Sequence, residues 1–324
     1  MLNKGQWQDE SPRQLKGELL WQQPSSFQSS ILPTGSSIND LEKAVIAEPG
    51  RYVLYTSLAT PIAHCAVILR TLKRLERLLP ICLVNAKYGD QGWSFKKTDV
   101  GTNDIYNSSA QLHELYSKQD SQYSGETSLP LLWDRERKQI VTNSPQQILH
   151  ILNSSFDNLH ELETPNLYPD HLTDEIQETN NFLMNEMFRN ILACGFSENA
   201  SVYQKHFDSL FRSLEELNIK LERQSYLLGD QITICDWLLF TILVRFDAVY
   251  SPLFKCNKKA LSDFPFLANY FGDLYQERHI GVTVNTAHIK EHYFKSYTEL
   301  NPSGEIPTDP DLDFDYLFNR SSLL

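Results

Sequence analysis

Thr60 and Pro61 stand where a short apolar run gives way to a helical one, and that junction has the makings of an anion site. Residues 51–65 read RYVLYTSLATPIAHC. The span 52–57 is rich in β-branched, aromatic and aliphatic residues and reads as a strand. Thr60-Pro61 then opens a helix that continues through Ala66, Val67, Ile68 and Leu69. Threonine is a good N-cap, and proline suits the first helical position because its missing N–H would be unpaired there. A strand feeding a helix N-terminus presents free backbone N–H groups and the positive end of a dipole, which can hold a thiolate or another anion. The same residues also describe a well-capped βα unit with nothing bound, and the stretch alone leaves both readings open.

The helix is expected to end near Leu79-Pro80, and the apolar run 81–86 (ICLVNA) fits a buried strand, giving a parallel βαβ unit with a right-handed crossover. Residues 87–127 break this rhythm with Gly, Asp, Asn, Ser and Tyr, and carry one helical segment near 109–118. A connection of that length is usually functional or an embellishment. Spans 129–134 and 139–143 then read as two strands joined by a charged turn, followed by a helix from Ser144-Pro145 to about Asn153. The order β-α-β, then β-β-α, is that of a thioredoxin-like α/β domain.

Four regions are therefore expected: an extended, loop-rich arm over 1–48, a thioredoxin-like domain over 49–160 with a long insert at 87–127, an all-helical domain over 168–298, and a tail over 299–324. A Pro-containing stretch at 163–170 reads as the linker. In the helical half, Leu210, Leu214, Leu217 and Leu221 recur on one face. Thr233-Ile-Cys-Asp236 has the capping-box form with Asp in place of Glu or Gln, and opens a helix, 236–250, apolar on nearly all sides. Another amphipathic helix is expected over 262–275. The tail after Asn301-Pro302 is acidic and aperiodic, and is expected to lie over the surface.

A chain of 324 residues has ample length for a core, and its net charge of −12 argues against nucleic acid and against an anionic membrane surface. The N-terminal residues lack the apolar core of a signal peptide, so cytoplasmic residence is expected. The cysteines, Cys65, Cys82, Cys194, Cys235 and Cys256, are odd in number and widely spaced, and imply neither a disulfide framework nor a metal site.

The runs GRYVLYTSLATPIAH, GDQGWSF, YSGETSLPLLWD, RFDAVYSPLFKCN and HIKEHYFKSYTELNPSGEIP resemble the Xi class of the glutathione transferase superfamily, the glutathionyl-hydroquinone reductases. The resemblance implies a thioredoxin-like domain followed by an all-α domain, glutathione as the ligand if its site is retained, and a homodimer. It also implies a thiol enzyme whose cysteine, in a Cys-Pro-Trp-Ala motif, attacks the sulfur of a glutathionyl hydroquinone. In this chain that motif reads Thr60-Pro61-Ile62-Ala63. The Glu-Ser pair that holds the γ-glutamyl end matches Ser144 and Pro145, and a tyrosine that assists the leaving phenol matches Leu192. Other parts of the pattern remain. Leu129-Pro130 matches the cis-proline element whose backbone pairs with a peptide ligand, Trp93 and Tyr293 match active-site aromatics, and Lys118 matches a basic ligand contact.

Three readings follow from that resemblance. One is a non-catalytic relative that binds a small molecule or a protein on an intact scaffold. Another is a transferase in which the Thr60 hydroxyl hydrogen-bonds the glutathione thiolate. The last retains reductase activity through Cys65, which lies more than a turn into the helix and reads as a small buried apolar residue.

Overall fold

A computed structural model describes residues 1–8, 27, 29–37 and 44–308, which divide into two compact units meeting at Asn166 and Leu167. The first is built on a four-stranded mixed sheet. Its strands are β5 (Tyr52–Thr56), β6 (Ile81–Leu83), β7 (Leu131–Asp134) and β8 (Gln139–Thr142), in the order β6-β5-β7-β8. β5 runs parallel to β6 and antiparallel to β7, with Leu54 opposite both Ile81 and Leu132. Every side chain of β5 is buried, as a central strand covered on both faces requires. Helix α1 (Pro61–Leu72) makes the crossover, α2 (His113–Gln119) lies in the insert, and α3 (Pro145–Ser154) follows β8.

Helix α1 stops at Leu72, about two turns short of the expected end near Leu79, although the apolar spacing continues through Leu75, Leu78 and Leu79. Long-range contacts override local propensity here. The Lys73 ammonium, almost wholly buried, is ion-paired with Asp157 at 2.9 Å and donates to the Pro165 carbonyl at 3.2 Å. Arg74 takes a positive φ of 52°, and the Arg70 guanidinium reaches forward to the Leu79 carbonyl at 2.7 Å.

The described part of the N-terminal region is not simply extended chain. β1 (Leu2–Asn3) and β2 (Gln6–Trp7) form a small antiparallel hairpin, while β3 (Ser30–Leu32) and β4 (Ala44–Ile46) pair in parallel. Both are woven into the first unit. Leu2 and Gly125 exchange backbone hydrogen bonds of 2.9 Å, and the Ser155 hydroxyl donates to the Ile31 carbonyl at 2.6 Å. At the hairpin turn Gly5 has φ +75°, and a Cβ there would lie 2.0 Å from the Ser121 carbonyl oxygen, so glycine is required.

The second unit is helical: α4 (Thr173–Phe182), α5 (Arg189–Gly195), α6 (Ala200–Leu221), α7 (Ile234–Leu243), α8 (Pro265–Gln276) and α9 (Thr286–Ser296). Leu210, Leu214, Leu217 and Leu221 form the buried stripe of α6, and α7 is buried on every side. Asp236 closes the capping box, accepting from the Thr233 N–H at 2.7 Å and the Thr233 hydroxyl at 3.1 Å. The long helix expected over 236–250 breaks at Leu243 and resumes as a wide turn, Phe246–Tyr250, in which both Val249 and Tyr250 donate to the Arg245 carbonyl. The Arg245 side chain is fully buried and folds back onto the Thr241 carbonyl, which sequence periodicity could not show. Residues 301–308 are exposed or half-buried, whereas 309–324, where the tail was expected to lie over the surface, fall outside the described residues. No described helix is long and apolar enough to cross a membrane.

Candidate functional site

Sheet register gathers several of the candidate residues. β7 starts where β5 ends, with Tyr55 opposite Leu131, and β8 ends there too, with Thr142 opposite Leu132. The junctions at Thr60, at Leu129-Pro130 and at Ser144 therefore share one end of the first unit's sheet.

At the first junction the Ser57 hydroxyl accepts from the Ala59 N–H at 3.0 Å, and the Thr56 hydroxyl donates to the Ala63 carbonyl at 2.9 Å. Together these clamp the chain as it enters α1. Thr60 occupies the N-cap position with extended backbone, φ −94° and ψ 144°, and Pro61 is the first helical residue. The Thr60 side chain makes no capping hydrogen bond, so its hydroxyl is uncommitted at the helix N-terminus. Cys65 is fully buried along α1.

At the second junction the Leu129–Pro130 peptide is cis. The backbone N–H and C=O of Leu129 make no hydrogen bond to the described residues. They sit at the open end of β7, the position from which a strand-like ligand could be paired.

The third junction is depleted of donors. Ser144 caps α3 and accepts from the Gln147 N–H at a long 3.4 Å, while its carbonyl accepts from Ile148 at 2.9 Å. Pro145 has no N–H, which leaves the Gln146 amide as the donor of the first turn still available for an anion.

One residue that the sequence did not single out ties the last two junctions together. The buried Tyr116 hydroxyl donates to the Ser128 carbonyl at 3.0 Å, and accepts from the Ser128 N–H and from Asn143 Nδ2, each at 3.1 Å. Asn143 Nδ2 also reaches Ser128 Oγ at 3.2 Å. Burial raises the Tyr116 phenol well above its ordinary pKa, so it acts as a neutral hydrogen-bonding post. A tyrosine in the middle of an insert helix carries no local signal of such a role.

The remaining candidates stand in other surroundings. Trp93 is 8% exposed, packs edge-on against Tyr88 at 5.3 Å, and its carbonyl accepts from the Leu112 N–H. The Lys118 ammonium is engaged within the insert, donating to the Asn107 carbonyl at 2.7 Å and Ser109 Oγ at 2.8 Å. That ties it to the loop built around Asp104, whose carboxylate accepts from the backbone of Tyr106, Asn107 and Ser109 and from the Tyr55 hydroxyl. Tyr293 and Leu192 belong to the second unit. Tyr293 is fully buried, with its hydroxyl 3.5 Å from that of Tyr250 and its ring stacked on Tyr297. Leu192 is packed in α5 and supplies no hydroxyl. No cluster of metal-ligating side chains occurs among the described residues.

Residues 200–273 match the family described as glutathione S-transferase, C-terminal domain. A glutathionyl-hydroquinone reductase of Sphingobium chlorophenolicum is 36% identical over 270 residues, spanning 83% of this chain and 86% of the relative. Among solved structures, the glutathione-bound form of a glutathione transferase homologue from Escherichia coli K-12 superposes with a TM-score of 0.88 at 33% identity, covering 100% of this chain and 99% of that one. A Xi class transferase from Natrialba magadii gives 0.87 at 30% identity, over 99% and 96% of the two chains. The thioredoxin-like sheet, the helical second unit and these likenesses agree: the chain belongs to the Xi class of the glutathione transferase superfamily, alongside glutathionyl-hydroquinone reductases.

Proposed function

We propose that this protein has lost glutathionyl-hydroquinone reduction and serves as a non-catalytic, ligand- or partner-binding member of its class. The observation that carries the reading is Thr60, a hydroxyl at the N-cap of α1 where the class places its nucleophilic thiol. An unactivated hydroxyl stays protonated at neutral pH and cannot stand in for a thiolate attacking sulfur. Pro145 at the start of α3, Leu192 in place of a hydroxyl and the internally engaged Lys118 support the same reading. Leu129 keeps its backbone groups available for an extended ligand, which favours binding without chemistry.

A second reading draws on the uncommitted Thr60 hydroxyl, which could donate to the thiolate of bound glutathione and so support conjugation. Affinity for glutathione separates the two. Loss of about two charge-assisted hydrogen bonds, each worth roughly 1.5–3 kcal/mol, weakens binding on the order of a hundredfold or more and places dissociation in the millimolar range. Calorimetric titration of glutathione at neutral pH is expected to show that weak binding or none. Micromolar binding that disappears in Thr60→Ala would transfer the case to the hydroxyl-type transferase.

A further inference from the structure

The hairpin β1–β2 is bound to the insert at places far apart in sequence. Near its turn the Gly5 N–H donates to the Tyr123 carbonyl at 2.9 Å and the Lys4 N–H to Ser124 Oγ at 2.8 Å, beside the paired backbones of Leu2 and Gly125. In β2 the Trp7 indole N–H donates to the Asp90 carbonyl at 2.6 Å. The Trp7 ring covers Gly92 so closely that a Cβ there would lie 2.8 Å from its Cη2 atom. The same ring stacks on His113, the first residue of α2, with centroids 4.8 Å and planes 19° apart. Gly89 and Gly92 close a tight turn through mutual backbone hydrogen bonds of 3.2 and 2.8 Å, and Trp93 follows directly. The Trp93 carbonyl accepts from the Leu112 N–H at 2.8 Å, which joins this turn to the start of α2. One turn along α2, the Tyr116 hydroxyl seats Ser128, the residue before Leu129. Leu2, Trp93, Leu112 and Tyr116 share one apolar core, and both Trp7 and Leu129 pack against it.

We propose that the hairpin is a clasp that sets the ligand-pairing edge of the first unit, with Trp7 as its positioning residue. Through Gly92 the indole fixes the turn that carries Trp93. Through His113 it fixes the start of α2, and so the Tyr116 post that holds Ser128 and the adjoining Leu129. Residues 87–127, rich in Gly, Asp, Asn and Ser, gain little order from local propensity, so cross-links of this kind must supply it. An edge ordered in advance spares an incoming ligand the entropic cost of ordering it. The inference rests on the reading that Leu129 pairs an extended ligand, and it adds the element that holds Leu129 ready.

Hydrogen-exchange mass spectrometry of the full chain tests the clasp with no ligand present, so its outcome is separate from whether any ligand binds. In Trp7→Ala, amides of 88–93, of the first turn of α2 and of 126–129 should exchange about tenfold faster, while those of β5 keep the parent's rate. Trp7→Phe, which keeps a ring over Gly92 and His113 but loses the indole N–H, should recover most of that protection. Acceleration confined to the hairpin and 88–93, or spread equally to β5, would overturn the proposal. Should Trp7→Ala fail to fold, the unaltered protein in rising denaturant gives the same answer. The hairpin, 88–93 and 126–129 should then open together, before β5; a hairpin that opens alone while the insert stays protected would overturn the proposal.

Discussion

Thr60 carries a β-branched hydroxyl where the Xi-class motif it resembles has a cysteine thiol, and on the proposed reading that exchange decides which chemistry the α1 N-terminus can support. The helix end still offers its dipole and free amides to an anion. Thr60→Cys should therefore give a thiol with a pKa below the ordinary value of about 8.5, read from the pH dependence of its alkylation. It should not restore turnover, because Ser144 and Pro145 still provide a poor anchor for the far end of glutathione; reductase activity at the family's level from this change alone would contradict that half of the prediction. His288 makes a second case at this scale. It is buried on α9, its Nε2 has no partner among the described residues, and burial together with His292 lowers its pKa from 6.5 to about 4, Arg245 adding to the effect and Glu291 opposing it. The unfolded chain thus takes up a proton first as pH falls. This contribution is complete above pH 6.5 and drains away between 6.5 and 4, on the order of 3 kcal/mol at most. Denaturant melts at pH 7 and 4.5 should show a smaller loss for His288→Gln than for the parent.

Among the elements, those set by local chemistry could be read from the sequence. The strand-to-helix junction at Thr60-Pro61, the hairpin β7–β8 and the box at Thr233 and Asp236 each need only neighbouring residues of the right type. What escaped was decided by side-chain contacts that periodicity does not encode. Lys73 at the end of α1 is held by Asp157, distant in sequence, Arg70 reaches forward to the Leu79 carbonyl, the buried Arg245 folds back onto the Thr241 carbonyl after α7, and strands as short as β1 to β4 show no alternation to detect. Asp236 shows how much one local signal can hold. Besides Thr233, its carboxylate accepts from the Leu227 N–H at 2.8 Å and the Tyr270 hydroxyl at 2.9 Å. Asp236→Ala strands all of these donors in a buried place. At about 1–3 kcal/mol for each unpaired group, it should cost roughly 3–5 kcal/mol in chemical denaturation. A loss under about 1 kcal/mol would mean that the box is not what seats α7.

For the whole molecule, the fold was legible because family runs extend along both units, while the site was legible mainly through its substitutions. Thr60, Pro145 and Leu192 are visible in a sequence as residues of the wrong chemistry, whereas the Tyr116–Ser128–Asn143 network and the internal engagement of Lys118 required coordinates. Buried β5, the cis Leu129–Pro130 element and the capped α7 keep the architecture of the class, while the proposed loss of chemistry rests on Thr60, Pro145 and Leu192. Such a pattern fits a protein retained for its shape and its ligand-pairing edge. Steady-state turnover of a glutathionyl hydroquinone with excess glutathione, run beside the Sphingobium chlorophenolicum reductase, tests that claim most directly. The account predicts no turnover above the uncatalysed background for this chain; a rate comparable to the relative's would contradict it.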